Sequence, residues 1–205
     1  MTSILRPFVA AVGILALGVP LVLAGCAPVD STAPVRHLVA PAAPLGAEGP
    51  LGLEDGYVPV GETVSLGDTV PAIQHLDPVL RDALERAAAA ALERNVVLTF
   101  TDAWRSARYQ QFLYDQAVLE YGEEEAGKWV MTPDRSSHVT GNAVDIATAD
   151  AMDWLVRFGA EFGLCQLYAN ESWHYELVPG AAATGCPEQL RDSSALAGSQ
   201  SIRRP

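Results

Sequence analysis

Residues 136–145 read SSHVTGNAVD, and residues 171–174 read ESWH. Together they supply two imidazoles, His138 and His174, and one carboxylate, Asp145. Three protein ligands with an open fourth position are typical of catalytic zinc sites. The chain has no helical His-x-x-x-His motif, so these ligands must converge from separate segments. The sequence therefore predicts one zinc ion (Zn2+) per chain, bound by these three side chains.

Two glutamates are candidates for the general base of such a site. Glu171 lies three residues before His174, and Glu176 lies two residues after it. A carboxylate within reach of a reacting water can take its proton. The residue pattern by itself leaves both candidates open.

The segments around the three ligands predict short strands. Alternation in residues 143–147 places Asp145 on one face of a strand and Val144 on the other. In residues 173–178 the same alternation places His174 and Glu176 together, and Trp173 on the opposite face. Gly141 permits the sharp turn that the chain needs between His138 and Asp145.

Other elements follow from apolar periodicity and capping residues. Helices are predicted after the N-caps Asp77, Ser106 and Asp150, and a strand is predicted over residues 96–100. Trp129 is expected in the core. Helices and short strands mix without regular alternation, which favours an α+β fold.

The N-terminal sequence indicates export. Residues 1–25 hold one arginine before a long apolar run, which ends in LAGC at residues 23–26. This resembles a bacterial lipobox, so residues 1–25 are predicted to be a lipoprotein signal peptide and Cys26 the lipidated residue; the alternative is an uncleaved membrane anchor. A tether is predicted over residues 26–55, a catalytic domain over 56–190 and a disordered tail over 191–205.

The net charge bears on possible partners, and the cysteine content agrees with an exported protein. The formal net charge is −12, which argues against nucleic acid as a partner. If Cys26 carries lipid, Cys165 and Cys186 remain, and two cysteines in an oxidising compartment predict a disulfide. Two free buried thiols are the alternative.

The motif order is similar to that of a known family. The pattern Ser136-x-His138-x-x-Gly141-x-Ala143-x-Asp145, followed by Glu171-x-Trp173-His174, resembles the zinc D-alanyl-D-alanine carboxypeptidases of bacterial cell-wall metabolism. That family shares the Hedgehog/D-Ala-D-Ala-peptidase fold, a small antiparallel sheet packed with helices. Residues 104–110, WRSARYQ, are similar to the family's Tyr-Arg-Ser-x-x-x-Gln stretch, with Trp104 in place of the usual tyrosine.

The resemblance assigns a role to each site residue. It implies zinc ligands at His138, Asp145 and His174, a base at Glu171, a substrate carboxylate or oxyanion partner at Arg105, and cleft-lining side chains at Ser136 and Gln110. It implies a D,D-carboxypeptidase acting on peptidoglycan stem peptides. The lipobox predicts attachment to the membrane through Cys26, and a monomer is expected. The alternatives are a D,D-dipeptidase or endopeptidase of the same fold, or a non-catalytic cell-wall-binding module.

Overall fold

The computed structural model describes residues 44–46 and 49–196. The predicted signal peptide, Cys26 and most of the predicted tether lie outside these residues. Described strands are β1 Leu45–Gly46, β2 Gly49–Pro50, β3 Phe100–Asp102, β4 Ala143–Ile146, β5 Leu164–Gln166 and β6 His174–Leu177. Described α-helices are α1 Pro71–Gln74, α2 Pro78–Leu92, α3 Ala107–Tyr121, α4 Glu123–Ala126, α5 Ala149–Phe158 and α6 Ala181–Thr184.

Four of these strands form the central antiparallel sheet, in the order β3-β4-β6-β5. One face of the sheet carries Phe100, Val144, Ile146 and Tyr175, each at most 1% exposed, and packs on α2 and α5 in the core. The α+β prediction and the small antiparallel sheet are confirmed. The opposite face carries polar groups, because side chains alternate along β4 and β6. On β3 the register shifts between Phe100 and Asp102, so that Phe100 pairs with Ile146 and Asp102 pairs with Asp145.

Helix α2 shows how the capping residues set the element boundaries. The Asp77 side chain accepts from the backbone N–H groups of Val79 and Leu80, and Pro78 occupies the first helical position. The Asp77 N–H donates to the Gly141 carbonyl at 2.9 Å. Gly141 has a φ of +74°, and a Cβ there would lie 2.4 Å from the His75 carbonyl oxygen. The start of α2 therefore fixes the turn between His138 and Asp145.

Two predicted elements are displaced. The strand predicted over residues 96–100 runs instead from Phe100 to Asp102, because Val97 is 61% exposed and only the later residues pair with β4. The helix predicted from Asp150 is capped by Thr148, and its end, Gly159–Phe162, narrows to a 3-10 helix. Helix α3 begins after Ser106 and ends at Tyr121, as predicted.

The packed part of the chain extends past both predicted domain limits. Residues up to 55 were predicted to be tether, yet Leu51 is buried and Asp55 is 3% exposed. Residues from 191 onward were predicted to be a disordered tail, yet Asp192 and Ser193 are buried. Both flanks are rich in small and polar residues, so a few anchoring contacts decide their structure and no periodic pattern reveals them.

Among the residues that the structure describes, no helix is long and apolar enough to cross a membrane.

Candidate metal centre and cleft

The register of the central sheet builds the polar site. Asp102 on β3 pairs with Asp145 on β4, and Asp145 pairs with His174 on β6. Directly paired residues of neighbouring antiparallel strands project to the same face. Three side chains that are distant in sequence therefore form one row across the sheet.

His138 joins this row from the loop before β4. Its Nδ1 lies 2.6 Å from the Ala103 carbonyl oxygen, so Nδ1–H donates there. Its Nε2 then carries the free lone pair, 3.4 Å from Asp145 Oδ1 and 3.2 Å from His174 Nδ1. A second hydrogen bond of this kind fixes the tautomer and ring orientation of metal-binding histidines.

His174 presents its other nitrogen to the same point. Its Nδ1 lies 3.3 Å from Asp145 Oδ1, and its Nε2 lies 3.0 Å from Glu176 Oε1. Burial opposes the charged imidazole, but the hydrogen bonds to Asp145 and Glu176 outweigh it and raise the pKa of His174 to about 9. Burial likewise opposes the Asp145 carboxylate, yet the two histidines and Arg105 hold its pKa well below the usual range.

The three side chains can hold a metal ion together. One ligand atom from each of His138, Asp145 and His174 lies within 4.8 Å of the others, and all three side chains are buried. Two imidazoles and one carboxylate form a donor set that suits zinc. Each histidine is tied through its remote nitrogen, which leaves its other nitrogen aimed at the shared point. The donor chemistry and the orientation both fit a metal ion.

Glu171 lies beside this cluster but does not belong to the group of candidate metal ligands. Its Oε2 is 4.0 Å from His174 Nδ1, and the residue is 7% exposed. Burial is the main cause that raises the pKa of Glu171 to about 7. A carboxyl group with a pKa near neutrality can both accept and return a proton. Glu176, the rival candidate, is instead bonded to His174 Nε2, and its pKa is lowered despite burial.

Arg105 is half-buried, with its side chain 12% exposed, and it is bound by carboxylates. Its NH2 group lies 2.7 Å from Asp145 Oδ2, and its Nε lies 2.9 Å from Asp102 Oδ2. Its NH1 group donates to the Gln110 side-chain oxygen at 3.1 Å. Gln110 also donates to the Met131 carbonyl at 2.8 Å. Gln110 therefore holds the guanidinium in place, and Arg105 in turn orients Asp145.

A cavity of about 220 Å³ opens over the cluster. Arg105, Gln110, Ser136 and Glu171 all contribute to its lining, so the structure brings every predicted cleft residue to one place. Leu113, Trp129, Val130 and Met131 give it an apolar side. The prediction that Trp129 is a core residue is wrong, because its side chain lines this cavity and is 48% exposed.

The C-terminal segment closes one side of the cavity. Cys165 and Cys186 form the predicted disulfide, and Leu190 then pairs with Tyr168 in a parallel bridge. The Ser193 side chain donates to the Gly127 carbonyl at 3.0 Å, and Ser193 lines the cavity. This segment therefore joins the strand region before Glu171 to the loop that carries Trp129.

Sequence reasoning missed several cavity residues, among them Asp102, Trp129 and Ser193, and it placed Trp173 on the face opposite the site although Trp173 lines the cavity. Asp102 pairs with Arg105, while Trp129 and Ser193 form cleft walls. Asp102 had a detectable signal, since it is an acid at the end of a strand and lies three residues before Arg105. Trp129 and Ser193 had none, because only tertiary contacts bring residues 127–131 and 190–194 together.

A buried cluster of two histidines and an aspartate, with a free glutamate over a small cavity, defines a metal-dependent hydrolase site. A family model described as "VanY: D-alanyl-D-alanine carboxypeptidase" matches residues 73–180. The chain therefore belongs to the D-alanyl-D-alanine carboxypeptidase family.

Individual relatives agree with this assignment. A D-alanyl-D-alanine carboxypeptidase of Enterococcus faecalis (strain ATCC 700802 / V583) is 29% identical in an alignment of 150 positions that covers 60% of this chain and 53% of the relative. The chain thus spans about half the length of that curated relative.

Solved structures share the fold. The structure of VanYB in complex with D-alanine-D-alanine superposes with a TM-score of 0.51 at 25% identity, covering 68% of this chain and 87% of that one. A vancomycin-resistance D,D-pentapeptidase VanY from a VanB-type resistance cassette, in complex with Zn(II), gives 0.50 at 24% identity, covering 68% and 89%. The predicted Hedgehog/D-Ala-D-Ala-peptidase-like fold is confirmed.

Proposed function

We propose that this protein is a zinc-dependent D,D-carboxypeptidase that removes the terminal D-alanine from peptidoglycan stem peptides. The observation that carries the proposal is the convergence of His138, Asp145 and His174, with the buried Glu171 beside them in one small cavity. Family membership and the ligand chemistry of the relatives support the same activity.

His138 Nε2, Asp145 Oδ1 and His174 Nδ1 are the atoms that would hold the zinc ion. Zinc supplies Lewis acidity, which lowers the pKa of a bound water to about 7 and polarises the substrate carbonyl. Ala103 and Glu176 fix the two imidazoles through their remote nitrogens, so ligand geometry is set before the metal binds.

Glu171 serves as the proton shuttle of the reaction. It accepts one proton from the attacking water, whose oxygen forms a bond to the peptide carbonyl carbon. It returns that proton to the leaving nitrogen as the carbon–nitrogen bond breaks, which releases D-alanine. The raised pKa of Glu171, about 7, suits both transfers near neutral pH.

Arg105 supplies positive charge at the edge of the cleft. Its guanidinium is held by Asp102, Asp145 and Gln110, and it still lines the cavity. A planar, preorganised guanidinium can stabilise a substrate carboxylate or the developing oxyanion at low reorganisation cost. Ser136 lines the same cavity and is proposed as a substrate-binding residue.

We also propose that the protein is exported and lipid-anchored through Cys26. The support is the lipobox-like sequence at residues 23–26 and the disulfide, which forms in oxidising compartments. Residues between Cys26 and the first packed residues would separate a monomeric domain from the membrane.

The test uses the purified, zinc-loaded protein and pentapeptide stems ending in D-Ala-D-Ala. Mass spectrometry should show loss of one alanine from the free-acid stem and little loss from the stem with an amidated C-terminus. Release of the D-Ala-D-Ala dipeptide alone would indicate a dipeptidase. Cleavage of amidated and free-acid stems at equal rates would indicate an endopeptidase. Zinc binding with no cleavage of any stem would indicate a non-catalytic module.

A further inference from the structure

A second cavity, of about 360 Å³, adjoins the first one across the metal-ligand cluster. The two cavities share Asp102, Asp145 and Trp173 in their linings. The outer wall of the second cavity is built by residues 57–62, which precede the region matched by the family model. The shared residues place the two cavities next to each other at Asp145, and the two cavities together are called the groove below.

The position of Glu171 sets the direction of a peptide in this groove, given the proposed function. Glu171 lines the first cavity and is absent from the lining of the second. The leaving nitrogen must reach Glu171 to receive its proton, so the C-terminal residue lies in the first cavity. The part of the substrate on the amino side of the cleaved bond then extends into the second cavity.

The wall at residues 57–62 is held in place by a ring contact and by backbone hydrogen bonds. Tyr57 packs edge-on against Tyr109, with ring centroids 5.8 Å apart. The Glu62 N–H donates to the Pro59 carbonyl at 2.9 Å, and Val64 exchanges two backbone hydrogen bonds with Phe100. Preorganised walls lose little conformational entropy when a ligand binds.

The charge of this cavity comes from Glu62. The other two acids in its lining, Asp102 and Asp145, are both paired with Arg105. Glu62 is exposed, and within the described part of the chain its carboxylate has no ion-pair partner. No lysine or arginine belongs to the described lining of this cavity. The remaining wall is apolar, with Val58, Pro59 and Val60.

We propose that the cavity walled by residues 57–62 binds the amino-side residues of the stem peptide, and that Glu62 recognises a free side-chain amine there. The inference rests on the proposed function and names its substrate class. A stem peptide whose upstream residue carries a free side-chain amine would pair with Glu62, and acylation of that amine in a cross-link would remove the positive charge. The preferred substrate is therefore an uncross-linked stem.

The test compares three peptides with the same D-Ala-D-Ala terminus. The residue immediately before the D-Ala-D-Ala terminus carries a free side-chain amine, an acetylated side-chain amine or, as norleucine, no amine. An exposed ion pair is worth enough to favour the free amine by about two- to fivefold in kcat/KM, chiefly through KM. The preference should shrink as salt concentration rises, because exposed pairs are screened.

Glu62→Gln should bring the ratio of free-amine to acetylated kcat/KM close to one. Val60→Lys places a cation on the same wall at a side chain that is 87% exposed, and it should lower the ratio towards one because it offsets the charge of Glu62. The matched control is Glu161→Gln, which removes an exposed glutamate outside both cavities and should keep the parent ratio. A parent ratio of one, or a Glu62→Gln variant that keeps the preference, would overturn the inference.

Calorimetric binding of the three peptides to zinc-loaded Glu171→Gln separates this inference from the proposed function. If no peptide is hydrolysed by the parent protein, the carboxypeptidase assignment fails. An amine-dependent affinity that Glu62→Gln abolishes would still support the subsite in that case. Hydrolysis without any amine dependence in rate or affinity would retain the carboxypeptidase and refute the subsite alone.

Discussion

Residues 73–180 and the segments on either side of them differ in what they give to the site. The matched region contains His138, Asp145 and His174 together with Glu171 and Arg105. The flanks, residues 49–62 and 186–195, contribute none of these groups. They supply the wall at residues 57–62 on one side of the groove and Ser193 on the other.

The two regions are also held in different ways. The site residues are fixed by sheet register and by buried ion pairs. The flanks are fixed at a few points, namely the Asp55 hydrogen bonds with Ser106 and Arg108 at one end and the Cys165–Cys186 disulfide at the other. Chemistry is thus expected to depend on the matched region, and cleft shape and stability on the flanks.

The largest expected effect is at a metal ligand. His174→Ala should abolish hydrolysis and reduce zinc affinity by more than the roughly 10- to 100-fold that loss of an outer partner costs. The reason is that Nδ1 of His174 is one of the three candidate ligand atoms found in the described part of the chain. Equilibrium zinc competition with a chelator measures it. A variant that bound zinc as tightly as the parent would show that the site lies elsewhere.

The next effect separates the base from the ligands. Glu171→Gln should keep the zinc but lower kcat by about 10²–10⁴-fold, since a positioned carboxylate typically contributes that much. Glu176→Gln should be much milder in kcat, because Glu176 contacts the remote nitrogen of His174. Steady-state kinetics with metal analysis decide between them. The reverse order of effects would assign the base to Glu176.

Arg105→Lys tests whether the guanidinium acts through Asp145. Lysine keeps the charge but cannot bridge Asp102, Asp145 and Gln110 at once. Zinc affinity should fall by about 10-fold, the lower end for an outer-shell partner, and activity at saturating zinc should fall on free-acid peptides. Chelator competition and kinetics on matched free-acid and amidated peptides measure the two parts. Unchanged zinc affinity would restrict Arg105 to substrate binding.

The disulfide is the main expected contribution of the C-terminal flank. Replacing both Cys165 and Cys186 with serine should lower the free energy of unfolding by about 3 kcal/mol in the chain-entropy model for a loop of this size. Zinc retention should weaken as well, because the loop contains Glu171 and His174. Chemical denaturation and chelator competition measure the two effects. Full stability in the double variant would contradict the role assigned to this flank.

The smallest expected effect concerns the N-terminal flank and depends on pH. Asp55 receives hydrogen bonds from Ser106 and Arg108, and although burial opposes its charge, these bonds lower its pKa below the usual 3.8. The ionised carboxylate therefore stabilises the fold above about pH 4, and this contribution is lost as pH falls through the lower, folded-state pKa.

Asp55→Asn should cost about 1–3 kcal/mol at neutral pH, as expected for a charge-assisted hydrogen bond. Its stability should also fall less steeply than that of the parent protein below about pH 4. Urea unfolding at a series of pH values measures both. Asp68→Asn, in an exposed turn, is a suitable comparison, and an equal loss there would remove the special role of Asp55.

Local sequence determined the two longest helices, α2 and α3, and the identity of most site residues. Caps at Asp77 and Ser106 act through bonds to residues two or three positions away, so they can be recognised from adjacent letters. The histidines and Asp145 were recognisable because their chemistry and spacing are unusual for a structural role, and the choice of Glu171 over Glu176 came from the family resemblance.

Only the tertiary structure decided what surrounds those residues. The row of Asp102, Asp145 and His174 depends on the register of three strands, and register is set by pairing between distant segments. The role of Arg105 depends on its contact with Asp145, which lies 40 positions away in the sequence. The role of Gln110 depends on its contact with Met131, which lies 21 positions away. Neither flank has a periodic pattern, so only long-range contacts show that Glu62 and Ser193 wall the groove.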